Sequence, residues 1–264
     1  MVIENRPAGP PLTEGPRPGL RRVLIVLCLT EIISWGVLYY AFPVLADGIT
    51  DQTGWSRATT TTAFSLALVV SAGVGVPVGR RLDRVGPRAV MTAGSLLGVV
   101  AVIVIASAQS LVGFFLGWLI AGVSMAGTLY PPAFAALTRW SGPARVASLT
   151  ALTLVAGLAS TVFAPLTAVL MAHLDWRKSY LVLAALLAVV TVPAHAFGLN
   201  LPWPTVTPRS ADATGRGASG EDPAAIARSR TFLVLASPVD SATAGSPGGP
   251  VCGPEPWPSS WAAR

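Results

Sequence analysis

The chain has 264 residues, of which 52% are hydrophobic and only 11% charged, against about 25% charged in ordinary soluble domains. A net charge of +6 would suit a nucleic-acid partner, but the basic residues sit in short loops between apolar blocks rather than on one polar face, which excludes that partner. Blocks near the ~20 residues needed to cross a bilayer core define an all-α, polytopic membrane protein with lipid as its solvent.

Residues 1–20 read as a polar, disordered tail, residues 21–200 as the membrane bundle, and residues 201–264 as a polar linker and tail. Six spans are predicted, at residues 23–45, 60–78, 89–107, 111–137, 146–170 and 179–199. The first lacks a small-residue cleavage site and is followed by further spans, so it is not a signal peptide. Prolines 43, 77, 131, 132, 165 and 193 fall inside spans or at their ends, where packed neighbours can satisfy the backbone groups they free. The pairs Gly75/Gly79, Gly94/Gly98 and Gly113/Gly117 let helices approach closely. Packing within the chain is the simpler use for them, and a homodimer face is the alternative.

With the N-terminus inside, Arg6, Arg17, Arg21, Arg22, Arg80, Arg81, Arg84, Arg88, Arg139 and Arg145 lie on the inner side before the tail. Only Arg57, Arg177 and Lys178 lie outside. Ten against three places both termini in the cytoplasm. Cys28 and Cys252 show no metal-ligand spacing, and no cofactor or metal is expected.

Between the second and third spans runs "GRRLDRVGPR", residues 79–88. Gly79 and Gly86 permit the tight backbone that a short re-entry needs. Asp83 does not serve topology, so a specific partner is expected, either a helix N-terminus or an arginine. The alternative is local balance against Arg80 or Arg84.

In this loop the sequence resembles the major facilitator superfamily of transporters, whose second span is followed by G-x-x-x-D-R-x-G-R-R. Gly79, Asp83, Arg84, Gly86 and Arg88 match, while Pro87 stands where a basic residue is usual. The resemblance covers about residues 20–200 and implies a six-transmembrane-helix bundle corresponding to one half of such a transporter. It also implies that the loop latches onto helices of a second half. "SWGVLYYAFPVLADGI", "YPPAFAALTRW" and "LDWRKSYLVLAALL" are similar to the monocarboxylate-transporter-like and oxalate/formate-antiporter-like branch. The basic cluster expected before the fifth span is reduced to "GPAR".

One acid lies at membrane depth, Glu31. A carboxylate there is costly unless it is protonated, paired or facing a wet cavity. Ser34, Trp35, Leu38 and Phe42 share its helix face, with Tyr39 close by, as a transport route near the midplane would require. Glu31 and its neighbours are therefore expected to line the substrate path or couple a proton to it. The alternative is a buried acid held by backbone or hydroxyl groups. Tyr130 and Arg139 on the fourth span are further candidates, although snorkelling to the headgroups also accounts for Arg139. His173 and His195 have no companions that would make a catalytic or metal site. Ser219 falls in a G-x-S-G like that of rhomboid-type intramembrane proteases, but in a polar linker, where that chemistry cannot work.

After Arg228 the segment "RSRTFLVLA" opens like a seventh span and stops at Ser237-Pro238. From Ser237 to the C-terminus the composition resembles that of a G+C-rich coding region read out of frame, so a frameshift or truncation after Ala236 is expected to have removed the second half. The leading expectation is a non-enzymatic, proton- or anion-coupled secondary transporter, incomplete as a single chain, that moves a small organic anion such as a monocarboxylate across a bacterial-type inner membrane. The alternatives are a self-associating half-transporter and a six-span membrane protein that does not transport.

Overall fold

The computed structural model describes residues 19–203. The linker serine and the break after Ala236 lie outside the described residues. Six helices are long and apolar enough to cross a membrane: Leu20–Thr53, Arg57–Val85, Pro87–Ser107, Leu111–Trp140, Gly142–His173 and Trp176–Gly198. They are named below as the first to sixth spans.

Most spans outrun their apolar blocks because polar residues at their ends are satisfied locally. The first span continues through Thr50 and Thr53, whose hydroxyls donate to the carbonyls of Ala46 (3.1 Å) and Ile49 (2.6 Å). It stops at Gly54, where φ is 72°. Ser56 then caps the second span, its hydroxyl accepting from the Thr59 amide at 3.1 Å. Asp175 does the same for the sixth, accepting from the Lys178 amide at 2.8 Å, as N-caps should.

The stretch from Gly79 to Arg88 is not the loop that was expected. The second span runs through Gly79, anchored by buried Leu82, and ends at Val85. The reversal is made at Gly86 alone, with φ at 82°, and Pro87 opens the third span. Proline there needs no N–H and presets the helical φ. The motif thus folds as two helical turns and a one-residue corner.

Two prolines account for local changes of winding. A proline removes one helical hydrogen bond and crowds the carbonyl four residues back. For Pro43 and Pro193 those carbonyls belong to Tyr39 and Val189. Both lie inside π-helical turns, Gly36–Tyr40 and Leu187–Thr191. The fourth span breaks at Leu129 (ψ −167°), just before Pro131 and Pro132.

The third and fourth spans pack through their small residues. A Cβ on Gly98 would stand 2.7 Å from Ser124 Oγ, and one on Gly117 would stand 2.6 Å from Ile105 Cγ1. Ser124 donates to the Gly94 carbonyl at 2.8 Å. Two of the three glycine pairs therefore have neighbours within the chain. Gly75 and Gly79 do not: among the described residues nothing lies within 4 Å of a Cβ at either, and no residue between Ala67 and Leu82 is buried. One buried apolar cluster is built around Phe42, Phe64, Phe114 and Trp118. A second, at the Asp83 end of the bundle, is built around Leu27, Met91, Leu137, Trp140 and Leu152.

Candidate functional site

The predicted polar stripe on the first span is sorted by depth. Glu31 and Ser34 are fully buried, and neither Glu31 carboxylate oxygen nor Ser34 Oγ has a hydrogen-bond partner among the described residues. One turn on, Trp35 and Tyr39 line a cavity of about 440 Å³ between the first, second and fourth spans. Tyr130, Ser71 and Gly75 contribute to the same wall. The Trp35 ring stands 5.0 Å from Tyr130 and 5.4 Å from Tyr39. Tyr39 in turn meets Phe64 edge-on at 5.3 Å. The π-helical turn carries Tyr39, and such turns gather at functional sites. Leu38 and Phe42, expected on the same stripe, belong to the apolar core instead. Phe42 stacks on Phe64 at 4.7 Å and meets Trp118 at 5.2 Å.

Arg139 is not part of this cavity. It lies at the far end of the fourth span, where its Nη2 donates to Asp83 Oδ1 at 2.6 Å. Asp83 therefore has an arginine partner within the six spans, on a different helix from the Arg80 and Arg84 beside it in sequence. The guanidinium also covers the Trp203 ring, 4.5 Å from its centre. Trp203 Nε1 donates to the Asp83 carbonyl at 3.1 Å, and Trp140 Nε1 donates to the Pro202 carbonyl at 3.2 Å. Gly86 lies against Trp203, which would meet a Cβ there at 3.2 Å. Arg88 donates to Asn200 Oδ1 at 3.2 Å. The start of the segment read as a linker is thus packed against the corner between the second and third spans. Sequence reasoning passed over Trp140 and Trp203. The available signal was an aromatic between two prolines, "PWP", in an otherwise polar stretch.

Two further polar arrangements lie apart from the cavity and the corner. His195 Nδ1 lies 2.7 Å from Ser95 Oγ, both buried between the sixth and third spans. Ser95 Oγ also donates to the Met91 carbonyl at 2.9 Å. Asp175, outside the spans, is held below the usual carboxylate range by the Lys178 backbone amide and then by its side chain. Among the described residues no three His, Cys, Asp or Glu side chains come together as a metal site would require.

Six membrane-length helices define a multi-pass membrane protein. The family model of the Major Facilitator Superfamily matches residues 27–250, and the chain belongs to that superfamily. The family is one of transporters and is non-enzymatic. A search of the curated proteins found no match.

Proposed function

We propose that the chain contributes one wall of a path for a small monocarboxylate or similar organic anion, and that Glu31 carries the proton that crosses with it. The observation behind this reading is a fully buried acid without a partner among the described residues, one helical turn from a cavity walled by Trp35, Tyr39 and Tyr130. An acid at membrane depth is expensive and is kept where it serves a pathway. Among the described residues no arginine or lysine lines that cavity, and Arg139 is engaged with Asp83. A carboxylate entering would face Glu31 without a counter-charge, and two carboxylates in one low-dielectric space repel. A proton travelling with the substrate removes that repulsion. The aromatic edges and tyrosine hydroxyls would hold the apolar and polar parts of a small acid.

In transporters of this superfamily two six-helix halves are related by an axis along the membrane normal, with the substrate site between them. The cavity opens between the first, second and fourth spans, and the second span is the least buried of the six. That helix is the natural face for another bundle. Placing the arginine-rich end in the cytoplasm follows the positive-inside rule. A second reading, completion of the path by a second copy, draws on the unoccupied space beside Gly73, Gly75 and Gly79. A detergent-solubilised dimer whose mass does not change on dilution would favour it.

The test is uptake of a labelled short monocarboxylate into proteoliposomes under an imposed pH gradient, beside the matching uncharged amide. Gradient-driven accumulation of the acid above that of protein-free vesicles, with no such excess for the amide, is expected. Equal accumulation of both, or acid uptake indifferent to the gradient, would refute the reading.

A further inference from the structure

We propose that the corner between the second and third spans binds one anionic phospholipid, with its phosphate among Arg80, Arg81 and Arg84 and an acyl chain in the groove between the two spans. This does not depend on the transport reading.

The groove comes first. Gly86 reverses the chain in one residue, and the two helices then diverge enough to leave a hollow of about 290 Å³. Val78 and Val85 wall it on one side, Ala93 and Leu97 on the other, and Val123 and Gly127 of the fourth span form its floor. Small residues at 93 and 127 keep it open. From Pro87 to Leu97 the third span rises roughly 15 Å at 1.5 Å per residue, about half of a ~30 Å hydrocarbon core. That is the reach of one acyl chain in its own leaflet.

Charge selects the headgroup. Arg81 stands at the rim of the groove and is shared with an adjoining hollow of about 350 Å³ bounded by Pro77, Arg80, Arg84 and Val85. Asp83 is the one acid between Asp51 and Asp175, and it is spent on Arg139. Among the described residues Arg80, Arg81 and Arg84 have no acidic partner within 4.0 Å, and Arg88 meets only the neutral Asn200. A helix end with three guanidinium groups that meet no acid among the described residues, above an apolar slot, complements a phosphate joined to a hydrocarbon tail. A free phosphate would leave the slot unused, and a zwitterionic lipid would bring its own cation to the arginines.

The full 264-residue chain, purified in mild detergent, is titrated with phosphatidylglycerol and with phosphatidylcholine of identical acyl chains, and bound lipid is counted by native mass spectrometry. The first lipid bound should favour phosphatidylglycerol at least fivefold. Arg81→Gln with Arg84→Gln should reduce the preference below twofold, while Arg145→Gln, which removes a charge elsewhere, should leave it unchanged. Ala93→Phe fills the groove with every arginine in place and should weaken phosphatidylglycerol binding at least threefold; it carries the test alone if the double variant does not fold. Tenfold excess inorganic phosphate should not displace the lipid. Equal binding of the two lipids, an equal loss in Arg145→Gln, no loss in Ala93→Phe, or displacement by phosphate would each overturn the proposal.

Discussion

Two acids in this bundle are treated in opposite ways. Asp83, more than half exposed, is surrounded by donors: Arg139 takes its carboxylate, Trp203 takes its backbone carbonyl, and the same arginine lies on the same tryptophan. Glu31, fully buried, has no partner on either oxygen among the described residues. Solvation alone would predict the reverse, since burial makes an unpaired charge expensive and exposure makes it cheap. On the proposed transport reading, the difference separates a group that holds elements together from one whose cost is tolerated for what it does.

The comparison can be broken first at the cavity. Trp35→Ala removes the ring that joins Tyr39 to Tyr130. Gradient-driven monocarboxylate uptake should fall more than tenfold while the melting temperature in detergent falls by only a few degrees. Uptake close to that of the parent protein would detach the aromatic wall from function.

Next in size is the pair at the corner. Asp83→Asn should cost about 1–2 kcal/mol, above the ~0.2–1 kcal/mol of exposed pairs because Arg139 is largely covered and also stacked on Trp203. At roughly 2–4 °C per kcal/mol for a chain of this size, thermal unfolding will resolve it. Combined with Arg139→Gln, the two losses should fall short of additive by at least about 0.5 kcal/mol. Full additivity would mean that the contact contributes nothing.

Asp175 supplies a third, purely local case. Asp175→Ala should cost about 1 kcal/mol through loss of the cap, and Asp175→Asn much less, because asparagine caps as well. The carboxylate is depressed in the folded state. Its contribution is therefore present above the ordinary aspartate range and is lost as pH falls through the depressed folded value. Thermal melts of the parent and Asp175→Asn proteins should converge as the pH is lowered toward 3. A gap that widens on acidification would reverse the sign of the linkage.

Much of this was legible in sequence, for identifiable reasons. Membrane spans announce themselves because each must be apolar over its own length, so all six were found and only their polar ends were cut short. Helical spacing put Glu31, Ser34 and Trp35 on one face, but spacing does not set depth: Trp35 lines the cavity, while Glu31 and Ser34 are buried behind it. Arg139 was grouped with that stripe on residue type alone, and no local rule reveals that it meets Asp83, 56 residues away. Gly79 was read as a turn residue because glycine permits turns, but it sits in helix, and of the motif's two glycines Gly86 alone uses a positive φ. The π-helical turns before Pro43 and Pro193, and the fold-back that brings Trp203 to Gly86, depend on tertiary packing that hydropathy does not encode.

The central claim is that Glu31 is retained for proton coupling and not for folding, and Glu31→Gln addresses it most directly. Glutamine keeps the shape and hydrogen-bonding capacity of the side chain but cannot exchange a proton. Proteoliposomes carrying each protein would be assayed for pH-gradient-driven accumulation and for exchange of substrate at equal pH, with thermal unfolding measured on the same preparations. Accumulation should fall at least tenfold in the variant, with exchange retained and the melting temperature unchanged or raised. Accumulation equal to that of the parent protein, or a fall matched by a large loss of thermal stability, would contradict the claim.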